Sequence, residues 1–250
     1  MVLVEVCSNS LRSALAAQEG GAARIELCDN LAEGGTTPSE AQIRIVRQLL
    51  SIRMHVIIRP RGGDFLYNKA EYEMMKADTL LCGKLGCDGI VMGILKPNGA
   101  IDTDRSGELT QIAADCGMEV TFHRAFDRCR NLFEGLEDII CKVRCSRILT
   151  SGGKDSALLG ADTIRQLIQQ AEERITIMPG GGITEDNIAE LVSRTGLREF
   201  HGSFRSLFPS EMQYFNRALS DWETEAAMLF TDIEKVKKAI LLANTANSFF

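Results

Sequence analysis

VLVEVCSNS, residues 2–10, is an alternating apolar run that ends in a polar turn without glycine. Alternation with a period of two predicts a β-strand near 2–7. An open doubly wound sheet that binds a dinucleotide has a glycine-rich turn after its first strand, which holds the phosphates. A closed barrel does not need such a turn. The stretch therefore favours a barrel, with an open sheet of fewer strands as the alternative.

The rest of the chain repeats this alternation of short β-rich runs and helical patterns. Further strands are predicted near 23–28, 54–59, 88–92, 118–123, 146–151, 174–179 and 198–203. Helices are predicted near 10–20, 39–50, 69–85, 104–116, 131–142, 155–172, 184–195 and 231–243. Eight βα units without a linker predict an α/β fold, a (β/α)8 TIM-like barrel, as a single domain over residues 1–250. A longer excursion at about 204–230 precedes the last helix.

The composition is that of a globular protein with an acidic balance. A net charge of -6 argues against nucleic acid and anionic membranes as partners, because both attract clustered lysine and arginine. The first ten residues lack the basic region of a signal peptide, and no apolar run reaches spanning length. Eight cysteines in such a chain are expected as free thiols, so we predict a cytoplasmic location.

Alternation within each strand assigns its side chains to one face of the barrel. The outer face lies beneath helices and must be apolar, so Val4 and Val6 point outward while Glu5 and Cys7 point into the lumen. The same rule turns further residues inward: Glu26, Cys28, Arg59, Thr121, His123, Glu199 and His201.

The inward ionisable side chains are candidates for catalysis. We expect Arg59 to enter the lumen and bridge Glu5 and Glu26. Carboxyl and imidazole groups at strand ends suit proton transfer, and Arg124 and Asp127 follow at the mouth. A buried charge network that only fixes strand register is the alternative. The catalytic candidates are Glu5, Glu26, Arg59, His123, Glu199 and His201, whereas His55, at the amino end of its strand, is expected to be structural.

Two turns at the predicted mouth suit an anion. Gly180, Gly181 and Gly182 leave strand seven and are expected to open a helix at Thr184, where bare amides and the helix dipole favour phosphate or carboxylate. The turn that starts at Ser151 could assist. Arg61 follows Pro60 and is expected to be free to reach the ligand, although a solvated loop arginine and glycines needed only for a tight turn remain alternatives.

Cys7 and Cys28 end neighbouring strands on the same face, at positions that we expect to be equivalent. Two thiolates so placed could bridge a soft ion such as Cu(I), which prefers sulfur ligands. Disulfide geometry is also within reach, and a buried cysteine often acts only as a small apolar side chain.

Several segments together resemble the CutC copper homeostasis family. The motifs are Glu5-Val6-Cys7, Arg24 through Cys28, Glu33 through Ser39, Ile58 through Phe65, Thr121 through Asp127, Leu149 through Gly152, and Glu199-Phe200-His201. The resemblance spans residues 1 to about 205 and implies a TIM-like barrel, a cytoplasmic location, a homodimer and a link to copper tolerance. It also implies copper binding at Cys7 and Cys28. Gly202 stands where some members carry cysteine or serine, which weakens any site of three thiolates.

Three functional hypotheses follow from these observations. The first is a copper homeostasis protein that binds Cu(I) through the barrel-mouth cysteines. The second is an enzyme acting on a small anionic metabolite, phosphorylated or carboxylated, and the third is a barrel that serves as a non-catalytic scaffold.

Overall fold

The barrel strands are those that the alternation predicts. The computed structural model describes residues 1–219 and 221–248, so positions 220, 249 and 250 of the predicted 1–250 domain lie outside the described residues. The barrel strands are β1 (Leu3–Ser8), β2 (Arg24–Leu27), β3 (Arg53–Ile57), β4 (Gly89–Met92), β5 (Glu119–Phe122), β6 (Arg147–Thr150), β7 (Thr176–Pro179) and β8 (Glu199–Gly202).

The eight strands are parallel and follow one another around a nearly closed ring. Their order in the sheet is β7-β6-β5-β4-β3-β2-β1-β8. A single parallel bridge between Gly180 and His201 joins β7 to β8. The predicted (β/α)8 TIM barrel is confirmed, and all strand carboxyl ends therefore meet at one mouth.

Helices cover the outside of the sheet. They are α1 (Leu11–Glu19), α2 (Glu40–Leu49), α3 (Lys69–Lys84), α4 (Thr103–Asp115), α5 (Leu132–Asp138), α6 (Ala161–Ala171), α7 (Ile188–Thr195) and α9 (Ile233–Asn247), whereas the short helix α8 (Trp222–Glu225) lies in the excursion before the last helix. The predicted start of α2 is confirmed, because the Ser39 hydroxyl accepts a hydrogen bond from the Gln42 amide. No helix of the described residues is both long enough and apolar enough to cross a membrane.

Two helices begin later than the sequence pattern predicts. Helix α6 begins at Ala161 rather than near 155, because the preceding segment folds into turns in which the Ala157 amide donates to the Gly181 carbonyl. Helix α7 begins at Ile188 rather than at 184, because the Asn187 side chain bonds the Thr184 amide and the Gly182 carbonyl. Both loops follow strands at the mouth of the barrel, so their residues can line a site there.

Burial confirms the predicted strand faces. Val4, Val6 and Phe200 lie in the large apolar core between sheet and helices. A second, separate apolar cluster fills the lumen and consists of Cys7, Cys28, Ile57 and Val91. Two clusters on opposite faces of one sheet are what a closed barrel produces.

The excursion before the last helix contains an antiparallel hairpin of β9 (Arg205–Pro209) and β10 (Ala227–Thr231). The Arg12 guanidinium of α1 lies over the rings of Phe208 and Phe230, at 4.6 and 4.3 Å from their centroids. These contacts fasten the hairpin beside the carboxyl end of β8.

Candidate functional site

A cavity of about 630 Å³ opens where the carboxyl ends of the strands meet. Its floor contains Cys7, Glu26 and His201, which come from β1, β2 and β8. Its walls are made by the loops that follow β2, β3, β5, β6, β7 and β8. A concave site of this volume is typical of binding sites for small molecules.

Glu5 holds His201 in place on the cavity floor. The Oε1 atom of Glu5 lies 2.8 Å from Nδ1 of His201, and Nε2 of His201 lies 3.7 Å from Oε2 of Glu26. Burial raises the pKa of Glu5, but Arg24 and His201 outweigh it and hold the pKa well below its usual range. Burial lowers the pKa of His201, but contacts with Cys7, Glu5 and Glu26 raise it well above its usual value. The pair is therefore a carboxylate and an imidazolium.

Glu26 is the carboxyl group on the floor that faces the cavity. It is 5% exposed, and burial raises its pKa above the usual value. A carboxyl group whose pKa is shifted toward neutrality is suited to accept and return a proton. Glu5 and Glu26 therefore differ in role: Glu5 stays charged, whereas Glu26 can change its protonation state.

Cys7 and Cys28 come together as predicted, although they are not at equivalent positions. In the ladder between β1 and β2, Cys7 is opposite Glu26, so Cys28 lies two residues further along. The stagger of strands in a closed barrel causes this offset. The two sulfur atoms are 3.5 Å apart, and both residues are free thiols. The hydrogen bond with Cys28, together with burial, raises the pKa of Cys7 well above its usual value.

The floor also offers a mixed set of metal ligands. Ligand atoms of Cys7, Glu26 and His201 lie within 4.8 Å of one another. The sulfur atoms of Cys7 and Cys28, 3.5 Å apart, are close enough to bind one ion together, with His201 or Glu26 as a further ligand. The residues present therefore fit a thiophilic ion such as Cu(I).

Arg24, rather than Arg59, bridges the buried carboxylates. Arg24 Nε donates to Glu5, and its Nη2 lies 2.8 Å from Glu199. Arg147 contacts Glu199 at 3.2 Å and Glu119 at 2.9 Å, which extends the network toward the amino ends of the strands. Glu199 thus lies below the cavity and does not line it. The predicted catalytic candidate Glu199 starts β8 rather than ending it, so it lies at the end of the strand away from the mouth.

The predicted bridge from Arg59 to Glu5 and Glu26 is also wrong. Arg59 lies beyond the end of β3, and its guanidinium donates to the backbone carbonyls of Glu33, Gly35 and Gly63. It also lies 4.9 Å from the centroid of the Phe65 ring. Arg59 lines the cavity and ties two of its loops together.

Arg61 is not free to bind a ligand in this structure. Its Nε lies 2.6 Å from Glu71, its Nη2 lies 3.1 Å from Asp64, and its guanidinium is 5.3 Å from the centroid of the Tyr67 ring. It does not line the cavity. The start of α3 supplies the partner, because Glu71 belongs to the capping box of Asn68.

His123 reaches the cavity wall as a neutral imidazole. It is 1% exposed, and burial, with the help of Arg59, lowers its pKa to about 3. Its Nδ1 accepts a hydrogen bond from the Ala125 amide at 3.2 Å. The proton is therefore on Nε2, which has no partner among the described residues. His55 is fully buried, and burial lowers its pKa to about 3 as well.

The glycine turn presents unbonded amides although no helix starts there. The amide of Gly180 donates to Thr150, and that of Thr184 donates to Asn187. Gly181 directly follows the bridge between Gly180 and His201, so its amide faces β8. The amides of Gly182 and Ile183 have no acceptor among the described residues. Successive free amides form an anion-binding nest without a helix dipole. A side chain at Gly180 would force the Leu149 side chain to move, since its Cβ would lie 2.4 Å from Leu149 Cδ1.

The turn after β6 contributes less than the sequence suggests. Asp127 accepts hydrogen bonds from the amides of Ser151 and Gly153, at distances of 2.8 to 3.1 Å. The Ser151 hydroxyl donates to the Lys154 carbonyl at 2.5 Å. Ser151 lines the cavity, but its donors are already used, and Lys154 is the group of this turn left to meet a ligand.

Several cations at the cavity rim have no acidic partner among the described residues. They are Arg124, Arg128, Lys154 and Arg205. Sequence reasoning placed Arg124 at the mouth but missed Arg128 and Arg205, which sit a few residues beyond β5 and β8. Their position just after a strand end was the available signal. In a chain of net charge -6, unpaired cations gathered at one opening attract anions.

The fold and the site define a (β/α)8 barrel whose mouth carries cations and free amides above a floor of thiol, histidine and carboxyl groups. The chain belongs to the CutC family, whose sequence profile matches residues 2–206. It is 46% identical over 243 residues to CutC of Bacteroides fragilis, covering 95% of this chain and 96% of the relative. It is 49% identical over 212 residues to CutC of Chromobacterium violaceum, covering 85% of each.

A solved structure supports the same assignment. The crystal structure of CutC from Streptococcus agalactiae, which carries a copper homeostasis designation, matches with a TM-score of 0.77 and 35% sequence identity. The match covers 81% of this chain and 99% of that chain.

Replacing Glu5 by glutamine is expected to lower the pKa of His201, because the imidazolium loses its hydrogen-bonded carboxylate. The folded-state pKa of His201 is raised, so its stabilising contribution is complete below the unfolded pKa of about 6.5. That contribution is lost as the pH rises through the folded pKa. Ring ¹⁵N chemical shifts measured against pH check the shift, and the chain has only three histidines to assign.

The matched control for this substitution is Glu119→Gln. Glu119 lies 3.8 Å from His55, so this change leaves the partners of His201 intact. An unchanged His201 titration in the Glu5→Gln variant would contradict the assigned ion pair.

Proposed function

We propose that the protein binds a small anionic metabolite in the barrel mouth and carries out proton transfer on it. The observation that carries the proposal is the pair of successive unbonded amides at Gly182 and Ile183 inside a cavity with unpaired cations. A phosphate or carboxylate would supply the acceptors that these donors lack. The rim cations would raise the local concentration of such a ligand.

The floor supports the chemical half of the proposal. A ligand held at the mouth lies above Glu26 and His201, which differ in charge state and touch the same cavity. Glu26 would accept a proton, and the His201 imidazolium would donate one or stabilise a developing negative charge. Glu5 keeps His201 charged and oriented, in the way that the carboxylate of a catalytic triad orients its histidine.

Inorganic phosphate is expected to raise the melting temperature of the protein more than chloride does at equal ionic strength. The reason is that a ligand bound only to the folded state stabilises it by mass action. Calorimetric titration with phosphate then gives the affinity. Removing two rim cations, in a Lys154→Gln, Arg205→Gln variant, should weaken phosphate binding by about tenfold or more.

The control for phosphate binding removes two exposed cations that lie away from the cavity. Lys142 pairs with Asp138 and Arg198 pairs with Glu173, and neither lines the cavity. A Lys142→Gln, Arg198→Gln variant should keep the phosphate affinity of the parent. Equal losses in the two double variants would mean that net charge, rather than the mouth, holds the anion.

Binding of Cu(I) is the second candidate function. It is favoured by the 3.5 Å separation of the thiols of Cys7 and Cys28, and by the nearby ligand atoms of His201 and Glu26. The copper homeostasis designation of the Streptococcus agalactiae CutC structure supports it. The ion would be cargo held on the cavity floor, reached through the mouth.

We also propose a cytoplasmic homodimer. The eight cysteines are all free thiols, as is usual in a reducing compartment. The hairpin pairs Leu207 with Leu229 across its strands, and both side chains are exposed, at 69% and 45%. An exposed apolar sheet face of this kind supports contact with a second copy. Sedimentation velocity at micromolar concentration measures the oligomeric state, and a monomer there would contradict the dimer.

A further inference from the structure

The cavity has a second group of donors on a part of its wall away from the glycine turn. The glycine turn follows β7, whereas His123 and Arg124 follow β5 and Arg59 follows β3. In the ring order of the strands, β3 lies across the barrel from β7, and β5 lies two strands from β7. The cavity is thus lined by donors in two separate places.

The first donor of this wall is the His123 imidazole. Its Nδ1 is used by the Ala125 amide, which leaves Nε2–H as the only remaining polar group of the ring. That atom is buried and has no acceptor among the described residues. Buried donors are almost always satisfied in folded proteins, so an unfilled one beside a cavity points to an acceptor that arrives with a ligand.

Two guanidinium groups converge beside this imidazole. A Cβ atom built on Gly34 would lie 3.1 Å from Arg124 Nη1 and 3.7 Å from Arg59 Nη1, so both arginines approach the same point. Gly34 has φ of +86°, a conformation that other residues rarely adopt, and it leaves this space open. Arg59 is held by backbone carbonyls. Arg124 has neither a hydrogen bond nor an ion pair among the described residues.

We propose that Arg124, His123 and Arg59 form a carboxylate subsite, so that the ligand carries a carboxylate at one end and a phosphate at the other. The inference rests on the proposed binding of an anion at the glycine turn. All three side chains present only donors or positive charge, so the ligand must bring acceptor oxygens. A planar carboxylate can accept from the arginine fork and from an imidazole N–H together.

Matched probe pairs test the carboxylate subsite. The probes are 3-phosphoglycerate against glycerol 3-phosphate, and 6-phosphogluconate against sorbitol 6-phosphate, since the members of each pair differ at the carboxylate. In at least one pair, calorimetry should show the carboxylate member binding about tenfold tighter or more. An Arg124→Gln variant should remove most of that ratio. Because Arg124 is exposed, the variant is expected to fold.

Arg130→Gln is the control for this experiment. Arg130 is exposed, contacts Glu134 at 3.8 Å and does not line the cavity, so the ratio should persist. If the phosphate-only probes bind but a carboxylate adds nothing in either pair, the subsite is wrong while the anion site stands. A ratio that survives Arg124→Gln also overturns the subsite. If none of the four probes binds, the proposed anion function itself fails.

Discussion

Replacing Arg24 by methionine is expected to lower the free energy of unfolding by about 3–5 kcal/mol. Arg24 is 3% exposed and is the shared partner of Glu5 and Glu199 beneath the cavity floor. Methionine fills much of the volume but leaves Glu5 with only His201, and Glu199 with only Arg147, as a cationic partner. A buried charge that loses its partner is far more costly than a missing pair at the surface.

The control for Arg24→Met is Arg53→Met. Arg53 belongs to the outer end of the same network, pairs with Glu119 at 3.0 Å and has a side chain that is 59% exposed. Its loss should change the unfolding free energy by no more than about 1 kcal/mol. Urea unfolding of both variants measures the difference. Equal losses would contradict the view that burial makes the Arg24 contacts so costly to break.

Acid should reveal the same dependence on Arg24. The pKa of Glu5 is lowered in the folded state, so its contribution to stability is present above the unfolded pKa of about 4.3. It is lost progressively as the pH falls from the unfolded pKa toward the lower folded pKa. Without Arg24 the folded pKa of Glu5 rises, so this contribution shrinks. Unfolding midpoints measured between about pH 7 and pH 3 should therefore converge, with the parent losing more stability than Arg24→Met.

A Cys7→Ser, Cys28→Ser variant is expected to bind Cu(I) more weakly by over about 1,000-fold. Changes to groups that merely orient a metal ligand already cost about 10- to 100-fold in affinity. Here two sulfur ligands, 3.5 Å apart, are replaced by hard oxygen donors that Cu(I) does not prefer. Titration against a competing Cu(I) chelator under anaerobic, reducing conditions measures the change. An unchanged affinity of this variant for Cu(I) would show that the cavity floor is not the copper site.

The control for the copper experiment removes the exposed thiols, because surface cysteines also bind Cu(I). Cys116 and Cys141 are exposed and lie outside the cavity, so a Cys116→Ser, Cys141→Ser variant should keep the tight site.

The affinity of the parent protein for Cu(I) should rise with pH. Binding requires the Cys7 thiolate, and the pKa of Cys7 is raised above its usual value, so protons compete with the ion through the neutral range.

The anion and copper proposals use the same floor, and this makes them experimentally linked. Glu26 and His201 belong both to the proton-transfer pair and to the candidate metal ligands. A metal on the floor would occupy the groups that a bound metabolite needs for proton transfer. Phosphate binding at the glycine turn uses different atoms, so its affinity distinguishes occupancy of the mouth from occupancy of the floor.

Errors in the predicted site follow a physical pattern. Placements that depend on strand alternation are right, as for Glu5, Cys7 and His201. Placements that depend on a long side chain beyond a strand end are wrong, as for Arg59 and Arg61. The Arg59 guanidinium binds backbone carbonyls of two different loops. The Arg61 guanidinium binds Glu71, which belongs to the N-terminal cap of a helix. These partners lie outside the strand whose pattern was used for the prediction. The pattern of a single strand contains no information on such contacts.

The sequence by itself determined the barrel and the inward face of each strand, because alternation and apolar burial are local properties of a few consecutive residues. Only the tertiary structure decided which charges meet. The stagger of the strands places Cys7 opposite Glu26, with Cys28 two residues further along β2 and its sulfur atom 3.5 Å from that of Cys7. The folding of the loops leaves Arg124 without a partner among the described residues, whereas it pairs Arg61 with Glu71. The interaction energy of two charged side chains depends on their distance and on their burial, and both are set only when the strands close into the barrel.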